Sequence, residues 1–260
     1  MSNSISIQPF HHQDTGTLTY VVSDNATRKC LIIDAVLDFS CDEIKTTSFE
    51  QVTNFTTQNS LTVEWVLDTH VHADHLTAAF LAKDLLKCNT GISEEYKNLQ
   101  KEKITNQEKN KSYYTHYFKN EDKFDFGNSK FQVLSIPGHT TTCVAYIIED
   151  NIFCGDILMM PDVGCGRCDL DGGDAFSMYD SVQKIFSFPE SYKIYTCHDY
   201  PQEDRKFRYL STVANQKKEN IFFKSKDRDT FALSRKQRDS KLSPPRLLRS
   251  ALTYNLFKTL

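Results

Sequence analysis

The sequence predicts an α/β fold, and three observations carry that expectation. Short apolar runs of strand length alternate with longer stretches whose apolar residues recur at helical spacing. Four of the runs end directly in loops bearing His or Asp, the arrangement of functional loops on a rigid scaffold. The chain has 260 residues, 39% hydrophobic and 25% charged, the balance of a soluble globular protein with one large core or two small ones.

Taken in order, Gly16–Val22 and Cys30–Ala35 read as strands. The stretch 42–58 is polar with scattered apolar positions and is expected to be helical, although its β-branched residues oppose that. Val63–Asp68 is a strand, and Leu76–Lys87 a helix with one apolar face. Glu94–Lys111 is highly charged and reads as a solvated helix and loop. Three strands are expected within Lys123–Asp156, among them Phe131–Ile136 and Asn151–Cys154. Asp174–Phe186 is an amphipathic helix, with Gly172-Gly173 before it and Pro189 soon after its end. Lys193–Tyr195 is a further short strand, and Arg205–Asn220 a polar helix. The segment 224–241 is rich in both charges, and Pro244-Pro245 separates it from Leu247–Leu260. The whole is read as one domain over 1–260, with 201–260 a helical or irregular C-terminal appendage packed on the main body.

Composition excludes several classes. A net charge of −3 and a pI near 6.2 give no electrostatic footprint for nucleic acid. No stretch approaches the ~20 apolar residues of a membrane span, and the start lacks the basic and apolar regions of a secretory signal. A cytoplasmic protein is therefore expected. On that reading the eight cysteines are reduced thiols. Cys165 and Cys168 have the spacing of a redox or zinc pair, but without a strand-to-helix setting or a second pair they read as a substrate-side loop.

The chemistry concentrates in Thr69-His70-Val71-His72-Ala73-Asp74-His75. Neutral imidazoles and carboxylates are the ordinary ligands of borderline first-row metals, so this run reads as a metal site. The rest of the ligand set stands just past three strand ends: His139 in Pro137-Gly138-His139-Thr140, Asp156 in Gly155-Asp156, and His198 in Thr196-Cys197-His198-Asp199. His11, His12 and His116 sit in no motif and are read as surface histidines.

With those motifs in that order, the sequence resembles the metallo-β-lactamase-fold superfamily from about Leu18 to His198. The resemblance implies an αββα sandwich, two facing sheets with helices outside and the metal site at one edge. Within the superfamily the chain is similar to the persulfide dioxygenase and glyoxalase II branches, which act on glutathione derivatives. Gly166-Arg167-Cys168-Asp169-Leu170 resembles the Gly-Arg-Thr-Asp-Phe segment of the dioxygenases, and Gly172-Gly173-Asp174, Tyr179–Val182 and Cys197-His198-Asp199-Tyr200 continue the match. Residues 212–220 and 235–245 are similar to a bacterial β-lactamase-like subgroup implicated in sulfide detoxification. Gly164-Cys165-Gly166-Arg167 also echoes glyoxalase II.

The dioxygenase resemblance implies one Fe(II) per chain held by His70, His139 and Asp156, with His72, Asp74, His75 and His198 orienting ligands and solvent. Glutathione persulfide, O2 and water would give sulfite and glutathione. Asp74, His75 and Tyr200 are then expected at the reacting atoms. Arg167 is expected to pair with a substrate carboxylate, with an ion pair to Asp169 or Asp174 as its alternative. Cys168 and Tyr200 are expected on the substrate pocket. The glyoxalase II resemblance implies instead two metals, zinc or mixed zinc and iron. One would lie on His70, His72 and His139, the other on Asp74, His75 and His198, with Asp156 between them and a thioester as substrate. A metal-binding sensor without turnover is the reading outside enzymes. Relatives of this type often form dimers, so a homodimer is a further expectation.

Overall fold

The computed structural model describes residues 4–103, 111–201 and 205–260. Residues 104–110 of the charged segment expected as helix and loop lie outside the described residues. The first half contains β1 (Ile5–His12), β2 (Thr17–Asp24), β3 (Lys29–Ile33), β4 (Val36–Ser40), β5 (Glu43–Lys45), α1 (Thr47–Gln58), β6 (Thr62–Leu67) and β7 (Leu76–Thr77). It continues with α2 (Ala79–Leu86), β8 (Asn89–Ser93), α3 (Glu95–Lys103) and β9 (His116–Phe118). The second half contains β10 (Lys123–Phe126), β11 (Ser129–Ser135), β12 (Val144–Ile148), β13 (Asn151–Phe153), α4 (Ala175–Phe186) and β14 (Lys193–Tyr195). It ends with β15 (Leu210–Thr212), α5 (Val213–Glu219), α6 (Arg228–Asp239) and α7 (Leu248–Phe257).

Two six-stranded sheets, β1-β2-β3-β6-β8-β9 and β10-β11-β12-β13-β14-β15, face each other. The side-chain period of two explains how each strand serves two cores. Leu18, Tyr20 and Val22 of β2, Val144, Tyr146 and Ile148 of β12, and Phe153 of β13 fill the space between the sheets. Their neighbours point outward: Val21 joins the apolar cluster that α1, α2, α3 and α7 contribute to, whereas Ala145, Ile147 and Ile152 join the cluster of α4 and α6. Strands covered on both faces read as continuous apolar runs, which is why β2, β12 and β13 lack the alternation of a half-exposed strand. The result is a helix–sheet–sheet–helix sandwich. Among the described residues, no helix is long and apolar enough to cross a membrane.

Several boundaries differ from the sequence reading. The helix expected from residue 42 starts at Thr47, because Cys41 and Asp42 take φ values of +52° and +60° to turn a β4–β5 hairpin. Asp38 of β4 then accepts from the Ser48 N–H at 2.8 Å, supplying an acceptor at the helix start. The helix expected from Leu76 starts at Ala79, because Leu76 and Thr77 pair with β4. Four strands, not three, occupy 123–156, since Gly127 (φ +57°) permits a tight turn between β10 and β11. The polar helix expected over 205–220 is confined to α5; Leu210–Thr212 pairs with β14, and the Thr212 hydroxyl accepts from the Asn215 N–H at 3.1 Å to start the helix. The region after residue 200 thus supplies an edge strand to one sheet and α7 to the helical layer of the other. Strands β1, β8 and β9 were not foreseen; short polar-interrupted strands such as Asn89-Thr90-Gly91 carry little periodicity.

Phe153 shows what holds the halves together. It is 1% exposed, stacks on Tyr195 at 4.7 Å between ring centroids, and meets Tyr20 edge-on at 5.3 Å. Phe153→Ala is expected to lower unfolding stability by roughly 3–5 kcal/mol, the usual cost of emptying an aromatic core position. Urea denaturation measures this, and a loss below about 1 kcal/mol would contradict the packing described.

Candidate metal centre

Four strand ends meet at one edge of the sandwich. The loop after β6 carries His70, His72, Asp74 and His75; the loops after β11, β13 and β14 carry His139, Asp156 and His198. Backbone bonds fasten these loops together: Val144 N–H to Thr69 O at 2.8 Å, Leu18 N–H to Cys197 O at 2.7 Å, and Val71 N–H to the Thr142 hydroxyl at 3.0 Å. Gly155 (φ +54°) is required for the close approach, since a Cβ there would fall 2.5 Å from Thr69 Oγ1.

Three of the imidazoles are oriented by the partner of the outward nitrogen. The Arg167 carbonyl can only accept, so His139 donates from Nδ1 at 2.7 Å and turns Nε2 inward. Thr69 gives its hydroxyl proton to Asp34 at 3.0 Å, so its oxygen receives His70 Nδ1–H at 3.0 Å. His72 donates from Nε2 to Asp34 at 3.0 Å, which leaves its Nδ1 bare. His70 Nε2, His72 Nδ1 and Asp156 Oδ1, which face other members of the cluster, are buried without a hydrogen-bond partner. Buried polar atoms ordinarily find partners. Lone pairs of imidazole and carboxylate that lack one, converging at one place, fit a metal cation.

Asp156 lies between two halves of the centre. Its Oδ2 is 3.5 Å from His139 Nε2 and 3.9 Å from His70 Nε2, while Oδ1 is 3.6 Å from His198 Nε2. His70, His139 and Asp156 form one group able to hold an ion, and His72, Asp74 and His75 form another. In the second group Asp74 Oδ2 is engaged from three sides: the Thr17 hydroxyl donates at 3.1 Å, and His75 Nδ1 and His198 Nε2 lie at 3.3 Å. A chain of hydroxyls and imidazole extends outward from there, Thr17 to Thr15 at 2.7 Å and Thr15 to His12 at 2.7 Å.

Burial and neighbouring imidazoles hold His70 and His72 well below the usual histidine range. Burial alone would raise Asp74, but His75 and His198 keep it well below the usual carboxylate range, and Asp74 in turn raises His75 against the effect of burial. The centre is thus poised with neutral His70 and His72 and an ionised Asp74 at neutral pH, the protonation states that metal binding needs.

The cavity beside these groups measures about 450 Å³ and is lined by Asp74, His139, Asp156, Cys165, Arg167, His198 and Tyr200, among others. Tyr200 is half exposed and stacks parallel on His198, 5.7 Å between centroids. Arg167 is on the wall, but its fork is filled: Nε and a terminal nitrogen donate to Asp169 at 2.7 Å each, and the other nitrogen donates to Ser243 O at 2.8 Å. The ion pair with Asp169, the alternative set out for this residue, is the arrangement found. Two other arginines on the wall, Arg238 and Arg246, have no ion pair among the described residues. Cys168 is turned away into the core under α4, its N–H held by Asp239 at 2.9 Å; Cys165 takes the place on the cavity wall. No disulfide joins them. His11 and His116 lie against Phe207 and Trp65 respectively.

Sequence reasoning missed Asp34, Thr17 and Asn255. A carboxylate closing an apolar run, Leu31-Ile32-Ile33-Asp34, was a legible signal for the first. Thr17 had no motif. Asn255 bonds the carbonyls of His72 and His75 from 183 and 180 residues away, a relation no local pattern contains.

The pattern of the Metallo-beta-lactamase superfamily matches residues 13–198. The chain is 36% identical over 267 residues to "Glyoxylase B2" of Dictyostelium discoideum, covering 98% of this chain and 91% of that one. It is 29% identical over 187 residues to "Persulfide dioxygenase ETHE1, mitochondrial" of Homo sapiens, covering 71% of this chain and 64% of that one. Among solved structures, that of ETHE1 from Myxococcus xanthus superposes with a TM-score of 0.80 at 28% identity, covering 96% of this chain and 98% of that one.

The shifts of His70 and His72 set a pH dependence. With folded values below the ordinary 6.5, the unfolded chain takes up protons first as pH falls. The contribution of these two imidazoles to the stability of the metal-free protein is therefore full above about pH 6.5 and declines as pH drops beneath it, outweighing the opposite contribution of the single His75, whose value Asp74 raises. Urea midpoints of the metal-free protein at pH 7.5 and 5.5 measure this; equal midpoints would contradict the neutral, buried state of the two imidazoles.

Proposed function

This chain belongs to the metallo-beta-lactamase superfamily, and on that footing we propose that it is a persulfide dioxygenase. The reaction is oxidation of a thiol persulfide of the glutathione type: RSSH + O2 + H2O → RSH + SO3²⁻ + 2H⁺. The observation that carries the reading is the unequal state of the two ligand groups. His70 and His139 turn their Nε2 atoms toward Asp156 with both outer nitrogens already bonded, whereas Asp74 Oδ2 is taken up by Thr17, His75 and His198. That inequality supports one metal, and two imidazoles with one carboxylate suit Fe(II) with positions left for substrate. Likeness to the protein named persulfide dioxygenase and to the ETHE1 structure supports the same branch.

His70, His139 and Asp156 would hold the iron, which when bound supplies a seat for the persulfide sulfur and the redox chemistry for O2. The chain's own groups do the rest. Asp34 and the Arg167 carbonyl fix the rings. Asp74, ionised and on the cavity wall, is the group set to accept a hydrogen bond from water and orient it, and Thr17 and His75 hold it in place. Tyr200, braced on His198, covers one side of the cavity beside the reacting sulfur. With the fork of Arg167 filled, Arg238 and Arg246 take the anionic part of the thiol.

A second reading, a two-metal thioester hydrolase of the glyoxalase II type, is favoured by the second ligand group, His72, Asp74 and His75, by likeness to the protein named Glyoxylase B2, and by Asp156. Its two oxygens face opposite halves of the centre, as a carboxylate between two zinc ions, or zinc and iron, would.

Metal content of freshly purified protein, read with O2 uptake on glutathione persulfide, tests the reading. It expects about one iron per chain and rapid uptake, with both lost in Asp156→Asn. Two metals per chain, no O2 uptake and hydrolysis of S-lactoylglutathione would overturn it. The double variant Arg238→Ala/Arg246→Ala is expected to raise KM for the persulfide at least tenfold, about 1.4 kcal/mol, with kcat kept. An unchanged KM would remove these two residues from the substrate site.

A further inference from the structure

Helix α7 packs apolar side chains near the metal loop and hydrogen-bonds to it through Asn255. Asn255 is 2% exposed, and all three of its strong hydrogen-bonding positions are used on backbone between residues 72 and 77. Nδ2 donates to His72 O at 2.9 Å and to His75 O at 2.9 Å; Oδ1 accepts from the Thr77 N–H at 2.8 Å. The loop needs such a partner. Residues 70–75 form neither helix nor strand, yet His70, His72 and His75 are buried, so their carbonyls have neither a ladder nor open solvent to satisfy them. A carboxamide offers two donors and an acceptor in one plane, which a carboxylate or an apolar side chain of that size cannot do.

We propose that Asn255 is a positioning residue of the metal centre. By holding the carbonyls of His72 and His75, it sets the direction in which His72, Asp74 and His75 face the cavity. It touches no ligand side chain and acts through the backbone on the face away from the imidazoles. The backbone of the same turn of α7 is held just as firmly. Its last carbonyls, which a helix leaves unpaired, receive Tyr96 (to Asn255 O at 3.0 Å and Leu256 O at 2.9 Å), Gln100 (to Leu256 O at 2.7 Å) and Tyr113 (to Phe257 O at 2.6 Å). Asn255 is therefore a strut between α3 and the metal loop, and the final turns of the chain belong to the metal centre. This goes beyond the proposed reaction, because His72, Asp74 and His75 have a role whether the centre holds one metal or two.

The test uses full-length protein loaded with Co(II), whose visible absorption reports the ligand field without turnover. Asn255→Asp keeps the acceptor for Thr77 and loses both donors. Tyr96→Phe weakens the anchoring of α7 but leaves the carboxamide in place. The proposal expects Asn255→Asp to fold, to bind Co(II) at least about tenfold more weakly in chelator competition, and to show shifted absorption bands. Tyr96→Phe is expected to melt at a lower temperature with wild-type affinity and bands. Should Asn255→Asp not fold, Asn255→Ser, uncharged and smaller, gives the same readout with the same expected result. Wild-type affinity and spectrum in a folded Asn255 variant would overturn the proposal. So would the same spectral change in Tyr96→Phe, or failure of both Asn255 variants to fold, since each would make the contact one of general helix docking.

Discussion

The carboxylate of Asp34 is the interaction on which the metal centre depends. It stands just past β3 with φ +53°, a conformation that turns it beneath the neighbouring strand end. One oxygen accepts from the Thr69 N–H at 2.7 Å and from His72 at 3.0 Å; the other accepts from the Thr69 hydroxyl at 3.0 Å. Through Thr69 it also decides which nitrogen of His70 carries the proton. A single buried group thereby orients two imidazoles, and hydrogen bonds to a charged group are worth about 1.5–3 kcal/mol each. Burial raises the affinity of Asp34 for a proton, so the donors around it, the Thr69 N–H and hydroxyl among them, are what keep it useful as an acceptor.

The sandwich gives that carboxylate its setting. Tyr146 donates to Asp68 O at 2.7 Å and Tyr20 to Thr196 O at 2.6 Å, so tyrosines from the interior fix two of the strand ends that carry ligands. Asp68 itself, pushed up to about 7 by burial and the nearby Asp34, receives Thr77 at 2.7 Å and Tyr114 at 2.5 Å. Beneath the ligands, then, lies a second layer of buried carboxylates held by hydroxyls, and Asn255 closes the same loop from its other side. Rigid placement by packed strands, fine direction by hydrogen bonds: the two scales act on the same seven side chains.

What the sequence revealed follows from this division. Ligands on loops after apolar runs were legible because run, loop and ligand are contiguous; His70, His72, Asp74, His75, His139, Asp156 and His198 were all named from such patterns and converge on one cavity edge. The layered architecture was legible through the family resemblance that the ordered His and Asp motifs carry, while the apolar runs located individual strands such as Asn151–Phe153. What failed was long-range or competitive. For Arg167 the sequence left two partners open, a substrate carboxylate or Asp169, and the Asp169 pair is the one formed; Cys168 packs into the core with its N–H held by Asp239 of α6. Helix starts at 42, 76 and 205 were misplaced where a strand pairing drew the first residues away, as Leu76–Thr77 shows against β4. Asn255 lay beyond any pattern, since its partners are in another element entirely.

The account turns on one claim, that His70, His139 and Asp156 are where the metal sits. Anomalous X-ray diffraction from crystals of freshly purified protein, collected at the iron and zinc edges, tests it directly. The account predicts a single iron peak bounded by His70 Nε2, His139 Nε2 and the Asp156 carboxylate. Two peaks, with the second between Asp74, His75 and His198, would contradict it in favour of the two-metal hydrolase.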